Sequence, residues 1–313
     1  METYLSTALD VTDGVNPRYD SNVKHLLSDK QILARILKYA VEEFMDMSIE
    51  SILPCIGNKI EVDEVGVDPG YSNITRVEGI ETEDIIPNEG KTIFDIRFSA
   101  NRFNQEYKIL INVEAQKSTN PQKLGYHLGN RIIYYLSRMI SAQKQREFIK
   151  SEYDNLKKVK SIWICMDSAD DEDSIEEIYL DKRTIYGKPP KTECPDLLRG
   201  IIIRLRNNEN VKESKNQLIS MLEELLSTES SEVKKKRLSE KYNLMMTEEF
   251  ERRLDTMCNL SAVIEEKSRE EGMDLLAKLI RLLQEDGRND EITKVVSDSE
   301  ERKKEFIKYG LID

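Results

Sequence analysis

The alternation of apolar and polar positions predicts two neighbouring strands in the middle of the chain. Residues 92–98 and 107–116 alternate or are almost entirely apolar, which is typical of strands with at least one packed face. The segment 101–106 between them predicts a hairpin turn. A register centred near Asn104 and Gln105 would place Asp95 directly opposite Glu114. The pattern therefore predicts an antiparallel hairpin that carries two acids side by side.

Apolar residues at three- and four-residue spacing predict a helix from Ser28 or Asp29 to about Ile52, ended by Pro54. Residues 1–28 are polar and lack this period, so they predict a flexible N-terminal arm. Residues 57–90 are acidic and rich in Gly and Pro, and predict loops with at most one short strand. The next expected elements are a helix over 121–150, a strand over 159–166, a helical or irregular stretch to Leu180 and a strand over 199–206.

Strands interleaved with helices predict an α/β or α+β domain over residues 29–208. From residue 209 to 313 the pattern is helical only, with charged faces and Leu- and Met-rich stripes. Oligomerisation through these helices is an option that the pattern leaves open. The expected C-terminal helices cover residues 216–226, 230–242, 247–267, 272–284 and 290–311.

The composition excludes some classes of protein. The chain has 313 residues, of which 39% are hydrophobic and 34% charged, as in a soluble protein of one or two domains. Its apolar runs are too short to span a bilayer, and no secretory signal is visible at its start. The four cysteines are widely scattered, which disfavours a zinc site and indicates reduced thiols in a cytoplasmic protein.

Charge is distributed unevenly along the chain. The net charge of −12 argues against nucleic-acid binding, but residues 117–160 hold ten Lys and Arg against three acids. A locally positive segment can contact a phosphate backbone despite an acidic total. A solvated basic helix face explains the same segment equally well.

Two carboxylates stand in apolar strands, where an isolated charge is costly. Asp95 lies between Phe94 and Ile96, and Glu114 lies between Val113 and Ala115. A divalent cation is a common functional partner for two such acids. The structural alternative is that Asp95 caps a turn or pairs with a nearby arginine. Glu114 and Gln116 are two residues apart and so share one face of their strand.

With these acids in place, the chain resembles the PD-(D/E)XK nuclease superfamily. It is most similar to the nuclease-family transposases that are related to the Rpn recombination-promoting nucleases. The resemblance implies a restriction-endonuclease-like core, in which a mixed sheet is flanked by helices. The matching stretches are QILARILK at 31–38, INVEAQ at 111–116, RIIYY at 131–135, MISAQ at 139–143 and SIWIC at 161–165.

The resemblance also implies roles for three acids and an amide. Asp95 and Glu114 would be ligands of Mg²⁺ or Mn²⁺, and Glu43 would add a third acid from the first helix. Gln116 stands where most of the superfamily has lysine, and it would complete the catalytic set by orienting the nucleophile. A neutral amide gives up the charge stabilisation that a lysine provides. From the residues alone, a solvated helix carboxylate is the more common role for a residue such as Glu43.

Further positions would bind nucleic acid. The resemblance points to Lys117, Lys123, Arg131 and Tyr135, of which Tyr135 also fits a purely structural role in the core. The implied function is a metal-dependent endonuclease that hydrolyses DNA, with RNA not excluded, in association with mobile elements or recombination. The main alternative is a catalytically inactive nuclease fold that binds DNA or protein. A purely structural helical assembly is a third reading.

Overall fold

The computed structural model describes residues 15–57, 60–62, 83–86, 90–93, 95–102, 107–116, 118–166, 172–188, 196–206 and 213–312. The chain forms two compact units, Met1–Leu260 and Ser261–Asp313. The boundary expected from the sequence, after residue 208, therefore lies inside the first unit. None of the helices within the described ranges is both long and apolar enough to cross a membrane.

A mixed sheet organises the first unit, as the sequence predicts. Its six strands have the order β1-β4-β5-β6-β8-β7, in which β5, β6 and β8 are parallel and the other pairings antiparallel. A separate two-stranded sheet is formed by β2 and β3. The strands are β1 (Glu61–Val62), β2 (Glu83–Ile86), β3 (Gly90–Ile93), β4 (Ile96–Arg102), β5 (Tyr107–Gln116), β6 (Lys158–Cys165), β7 (Ser174–Tyr179) and β8 (Leu198–Arg204).

The hairpin of β4 and β5 has the expected register. Ile96 pairs with Val113, and the ladder runs to the pair of Arg102 with Tyr107. The strand expected over 92–98 is divided, because its first part belongs to β3 and pairs with β2 rather than with β5. The turn expected near Asn104 and Gln105 lies outside the described residues.

The helices differ from the sequence prediction mainly in where they end. The described chain contains α1 (Val15–Leu27), α2 (Lys30–Ala40), α3 (Ile49–Ile52), α4 (Pro121–Leu124), α5 (Leu128–Ser141), α6 (Gln217–Leu226), α7 (Ser231–Tyr242), α8 (Glu248–Glu285), α9 (Ile292–Ser297) and α10 (Ser299–Lys308). The Asp29 carboxylate caps α2 by accepting from the Gln31 N–H at 2.8 Å, as the sequence suggests.

Four expected helices differ in extent from the prediction. The helix predicted to Ile52 ends at Ala40, since Val41 adopts an extended conformation that puts its side chain in the core. The helix predicted over 121–150 is interrupted at Gly125, whose φ of 74° is the left-handed conformation that ends a helix. By contrast, the two helices predicted on either side of Gly272 are one continuous helix, α8.

The prediction of an unstructured arm is wrong for its second half, where α1 forms. Tyr19, Val23, Leu26 and Leu27 are all buried, at positions i, i+4, i+7 and i+8. This spacing is the apolar stripe of an amphipathic helix, hidden in the sequence by the polar residues between its members. The stretch before Leu180 is also not helical, because Ser174–Tyr179 form the edge strand β7.

Helix α5 packs against one face of the sheet. The shared core joins residues from α5 with residues from the strands: Leu110, Leu128, Ile132, Tyr135, Leu136, Met139, Val159, Trp163, Cys165 and Ile202. Positions 112, 114 and 116 project to this same face, since they alternate with Leu110 along β5. The intervening residues Ile109, Ile111 and Val113 are fully buried too, so both faces of β5 are covered.

The second unit has a small core of its own. Leu279, Leu283 and Val295 are buried, and Phe306 and Leu311 pack against them. Arg288 forms ion pairs with Glu291 and with Glu305 beside this core.

Candidate functional site

Asp95 and Glu114 are interlocked where β4 begins. The backbone N–H of Asp95 donates to Glu114 Oε1 at 3.1 Å, and Asp95 Oδ2 accepts from the Ala115 N–H at 2.9 Å. The two carboxylates thus accept backbone hydrogen bonds one residue pair beyond Ile96 and Val113, where the β4–β5 ladder ends. The structure therefore brings together the two acids that the sequence pattern places opposite each other.

The surroundings of Glu114 oppose its charge. The residue is 3% exposed, and its Oε1 also accepts from Asn112 Nδ2 at 2.9 Å. Burial first, and the neighbouring charge of Asp95 second, raise the pKa of Glu114 well above its ordinary value. Burial also raises the pKa of Asp95, although the charge of Lys24 opposes that rise.

Lys24 was not expected at this site. Its Nζ lies 2.9 Å from Asp95 Oδ1 and 2.9 Å from Asp20 Oδ2, and its side chain is only 7% exposed. Helix α1 positions it, because the buried stripe of that helix turns this face toward the sheet. The signal that could have found it is the pair Asp20 and Lys24, four residues apart beside that stripe.

Gln116 contacts Arg131, whose charge also acts on Glu114. Arg131 Nη1 donates to Gln116 Oε1 at 3.2 Å and to the Tyr126 hydroxyl at 2.7 Å, and Nη2 donates to the Tyr135 hydroxyl at 2.9 Å. The guanidinium carbon lies 5.1 Å from the ring centroid of Trp163. Burial opposes the charge of Arg131, but the hydrogen bonds to Tyr135 and Tyr126 outweigh it and raise the pKa of Arg131.

Glu43 does not join this group. Its Oε1 lies 3.0 Å from Lys158 Nζ and 3.0 Å from Lys160 Nζ. Lys160 pairs with Ile111, three strand positions from Glu114, so its side chain leaves the sheet on the face opposite to Glu114. The early end of α2 at Ala40 explains the difference, because Glu43 lies in a short 3₁₀ turn rather than in the expected helix.

The other residues expected to bind nucleic acid lie in different environments. Lys123 is exposed on α4, and Lys117 lies outside the described residues. Tyr135 is 7% exposed and packs edge-on against Trp163, with ring centroids 5.1 Å apart. Tyr135 is therefore a core residue that holds Arg131 in place.

The chemistry of this pair suits a hard cation. A buried carboxylate, Glu114, adjoins the half-buried carboxylate of Asp95, and Glu114 Oε2 receives no hydrogen bond from the described residues. The Lys24 ammonium already occupies a cation position on Asp95, and the buried Asn112 Oδ1 has no donor among the described residues. Oxygen donors of this kind are the ligands that Mg²⁺ and Mn²⁺ prefer. Within the described ranges no three His, Cys, Asp or Glu side chains converge on one point, so the fit is that of a two-carboxylate site.

Comparison with known proteins identifies the sheet domain. The family model of the PD-(D/E)XK nuclease family transposases matches residues 67–217, a range that contains β2 to β8, both acids and Gln116. No curated protein and no solved structure matches the chain significantly. PD-(D/E)XK nucleases generally use divalent metal ions and act on nucleic acid. The domain that carries Asp95 and Glu114 therefore belongs to the PD-(D/E)XK nuclease family of transposases.

Proposed function

We propose that this protein is a metal-dependent endonuclease that hydrolyses phosphodiester bonds of DNA. The observation that carries the proposal is the interlocked pair of Asp95 and Glu114, placed within the segment that matches the nuclease family. The transposase description of that family supports an association with mobile elements or recombination.

Asp95 and Glu114 are the residues that would hold Mg²⁺ or Mn²⁺. When bound, such an ion lowers the pKa of a water molecule and neutralises phosphate oxygens. The raised pKa of both carboxyl groups supports this assignment, since a divalent charge offsets the cost of holding the buried Glu114 charge beside that of Asp95.

Gln116 and Arg131 contribute through orientation and charge. Because Gln116 Oε1 accepts from Arg131, its amide nitrogen remains to donate to an oxygen of water or phosphate. Arg131 is held by Tyr126 and Tyr135, so its guanidinium adds a preorganised positive charge beside the acids.

Basic residues beside the site would track the substrate backbone. Lys123 is exposed on the helix that precedes α5, and Lys117 directly follows β5 in the sequence. Contacts of this kind bind phosphate without reading base sequence. They predict DNA affinity that falls as salt concentration rises.

The test is cleavage of supercoiled plasmid by the purified protein with Mg²⁺ or Mn²⁺, and with EDTA. We expect metal-dependent nicking that falls at least about 100-fold in Asp95→Asn and in Glu114→Gln, since each removes one ligand charge. Asp255→Asn is the matched control, because Asp255 is an ion-paired carboxylate on α8 that pairs with Lys235. Its cleavage rate should equal that of the wild type.

The inactive-module alternative predicts a different outcome. The neutral Gln116 at the lysine position favours it. Under that alternative, plasmid is bound equally by the wild type and both site variants, and no metal ion produces nicking. That result would exclude the endonuclease.

A further inference from the structure

Two helices bring positive charge to the acid pair. From α5, Arg131 contacts Gln116, and Tyr126 and Tyr135 fix its guanidinium. From α1, Lys24 contacts Asp95 directly, with Nζ 2.9 Å from Oδ1. The strand position that would otherwise carry a lysine holds the neutral Gln116. Among the residues that the structure describes, Lys24 is therefore the lysine that contacts Asp95 of the pair.

Burial of the Lys24 ammonium lowers stability unless other groups compensate its charge. Lysine side chains usually extend to water, yet this one is 7% exposed. Two features keep the ammonium in place. The buried stripe of α1 anchors the helix, and Asp20, one turn earlier, holds Nζ from the other side at 2.9 Å. The result is a fixed positive charge at a preorganised position.

We propose that Lys24, supplied by helix α1, takes the catalytic place of the lysine that Gln116 replaces on β5. This inference rests on the proposed endonuclease function. Its ammonium would donate a hydrogen bond to a phosphate oxygen of the substrate and stabilise the charge that develops there. Because Asp20 also holds the ammonium, metal binding by the acid pair would not require the lysine to leave the site.

A purely structural role for Lys24 makes opposite predictions. If Lys24 only neutralises Asp95 and fixes α1, its loss should weaken folding, metal affinity and cleavage together. If Lys24 acts on the substrate, its loss removes a cation that competes for Asp95. Metal affinity then stays equal or rises while cleavage falls.

The experiment compares full-length wild type with Lys24→Met, Lys24→Arg and the double variant Lys24→Met/Gln116→Lys. Each is measured for plasmid cleavage, for Mn²⁺ affinity by calorimetry and for thermal unfolding. Lys24→Met should lower kcat at least about 100-fold with little change in KM, and its Mn²⁺ affinity should not fall. Lys24→Arg should cleave at an intermediate rate. The double variant Lys24→Met/Gln116→Lys should cleave about tenfold faster than Lys24→Met.

Lys235→Met is the matched control, since Lys235 also forms an ion pair but on α7, with Asp255. It should cleave like the wild type. If Lys24→Met cleaves within about threefold of the wild type, or loses Mn²⁺ affinity and stability in parallel with cleavage, the role of Lys24 is refuted while the nuclease stands. A wild-type chain that binds Mn²⁺ but cleaves no DNA refutes the proposed function, and the catalytic role of Lys24 with it.

Discussion

Single side chains at the acid pair hold charges that the protein interior disfavours. Glu114 is buried and lies next to the carboxylate of Asp95, and the described residues donate hydrogen bonds to its Oε1 alone. Each pKa unit by which the folded state raises an acid above its unfolded value costs about 1.4 kcal/mol of stability at neutral pH. The metal-free site is therefore a place where the fold gives up stability.

The first prediction is that Glu114→Gln stabilises the metal-free protein at pH 7. Because the pKa of Glu114 is raised in the folded state, the folded protein binds a proton more tightly than the unfolded chain. Protonated Glu114 therefore stabilises the folded protein, and this contribution is lost as the pH rises above 4.5, the ordinary pKa of a glutamate. Denaturant unfolding in EDTA at pH 7 and pH 5 tests this prediction, and the advantage of the variant should shrink at pH 5. An advantage that is equal at both pH values would contradict it.

The second prediction concerns Glu43. Glu43→Gln should lower the free energy of unfolding by about 3 kcal/mol, since it leaves the charge of Lys160, which is 1% exposed, without its partner. Cleavage per folded molecule should be unchanged, because Glu43 lies away from the acid pair. The control is Asp46→Asn, which breaks the exposed pair with Arg102 and should cost less than about 1 kcal/mol. If Glu43→Gln lowered cleavage without lowering the free energy of unfolding, Glu43 would instead be a metal ligand.

At the scale of elements, the position of α5 determines where Arg131 lies. Gly200 on β8 allows this close approach, because a Cβ there would overlap Ile132 Cγ2. Ile132 is β-branched and helical, so it has little rotamer freedom with which to move aside.

The third prediction is that Gly200→Ala costs about 1–3 kcal/mol by overpacking and lowers cleavage by displacing α5. Gly129→Ala on α5 is the matched control, since the nearest atom to its added Cβ is 3.8 Å away. That variant should be neutral or slightly stabilising, because alanine favours helix. Thermal unfolding and plasmid cleavage measure both effects. A cleavage rate equal to that of the wild type in Gly200→Ala would show that α5 does not position the site.

Elements with strong local patterns were predictable from the sequence. Alternation defined β5 and its register with β4, and apolar runs defined β6 and β8. Strand β7 was not predicted because it is an edge strand with exposed residues such as Glu176 and Glu177, so it lacks an apolar run. Helix α1 was missed because its buried stripe is sparse.

The same limits apply to the candidate site. The shared face of Glu114 and Gln116 follows from the two-residue period of a strand, and the register adds Asp95. Lys24 could not be placed this way, because only tertiary packing brings α1 to the hairpin. Glu43 was misplaced because the buried Val41 ends α2 early and turns the next residues toward Lys160.

At the scale of the whole molecule, the sheet domain extends beyond its last strand. Gln31 on α2 exchanges two hydrogen bonds with the backbone of Met245, at 2.7 and 3.1 Å. Arg35 donates to the Tyr242 carbonyl at 2.7 Å. Buried polar groups of α2 therefore depend on the end of α7 and on the residues that follow it.

The fourth prediction is that a chain ending at Leu260 unfolds cooperatively and keeps the cleavage rate per molecule, since this unit is compact by itself. A chain ending at residue 208 should fail to fold. It leaves Gln31 and Arg35 unsatisfied and removes the buried apolar face of α6. Circular dichroism, size-exclusion chromatography and cleavage distinguish the two. A folded, active 208-residue chain would place the domain boundary where the sequence pattern suggested.

The hydrogen bonds between the acid pair and the backbone have an evolutionary consequence. Each carboxylate accepts a main-chain N–H of the neighbouring segment, and an amide oxygen at the same position could accept that bond without the charge. Under the proposed function, a homologue released from metal binding would therefore gain stability by replacing the two acids with Asn and Gln. A homologue that keeps both acids would be one in which the cation site is still in use.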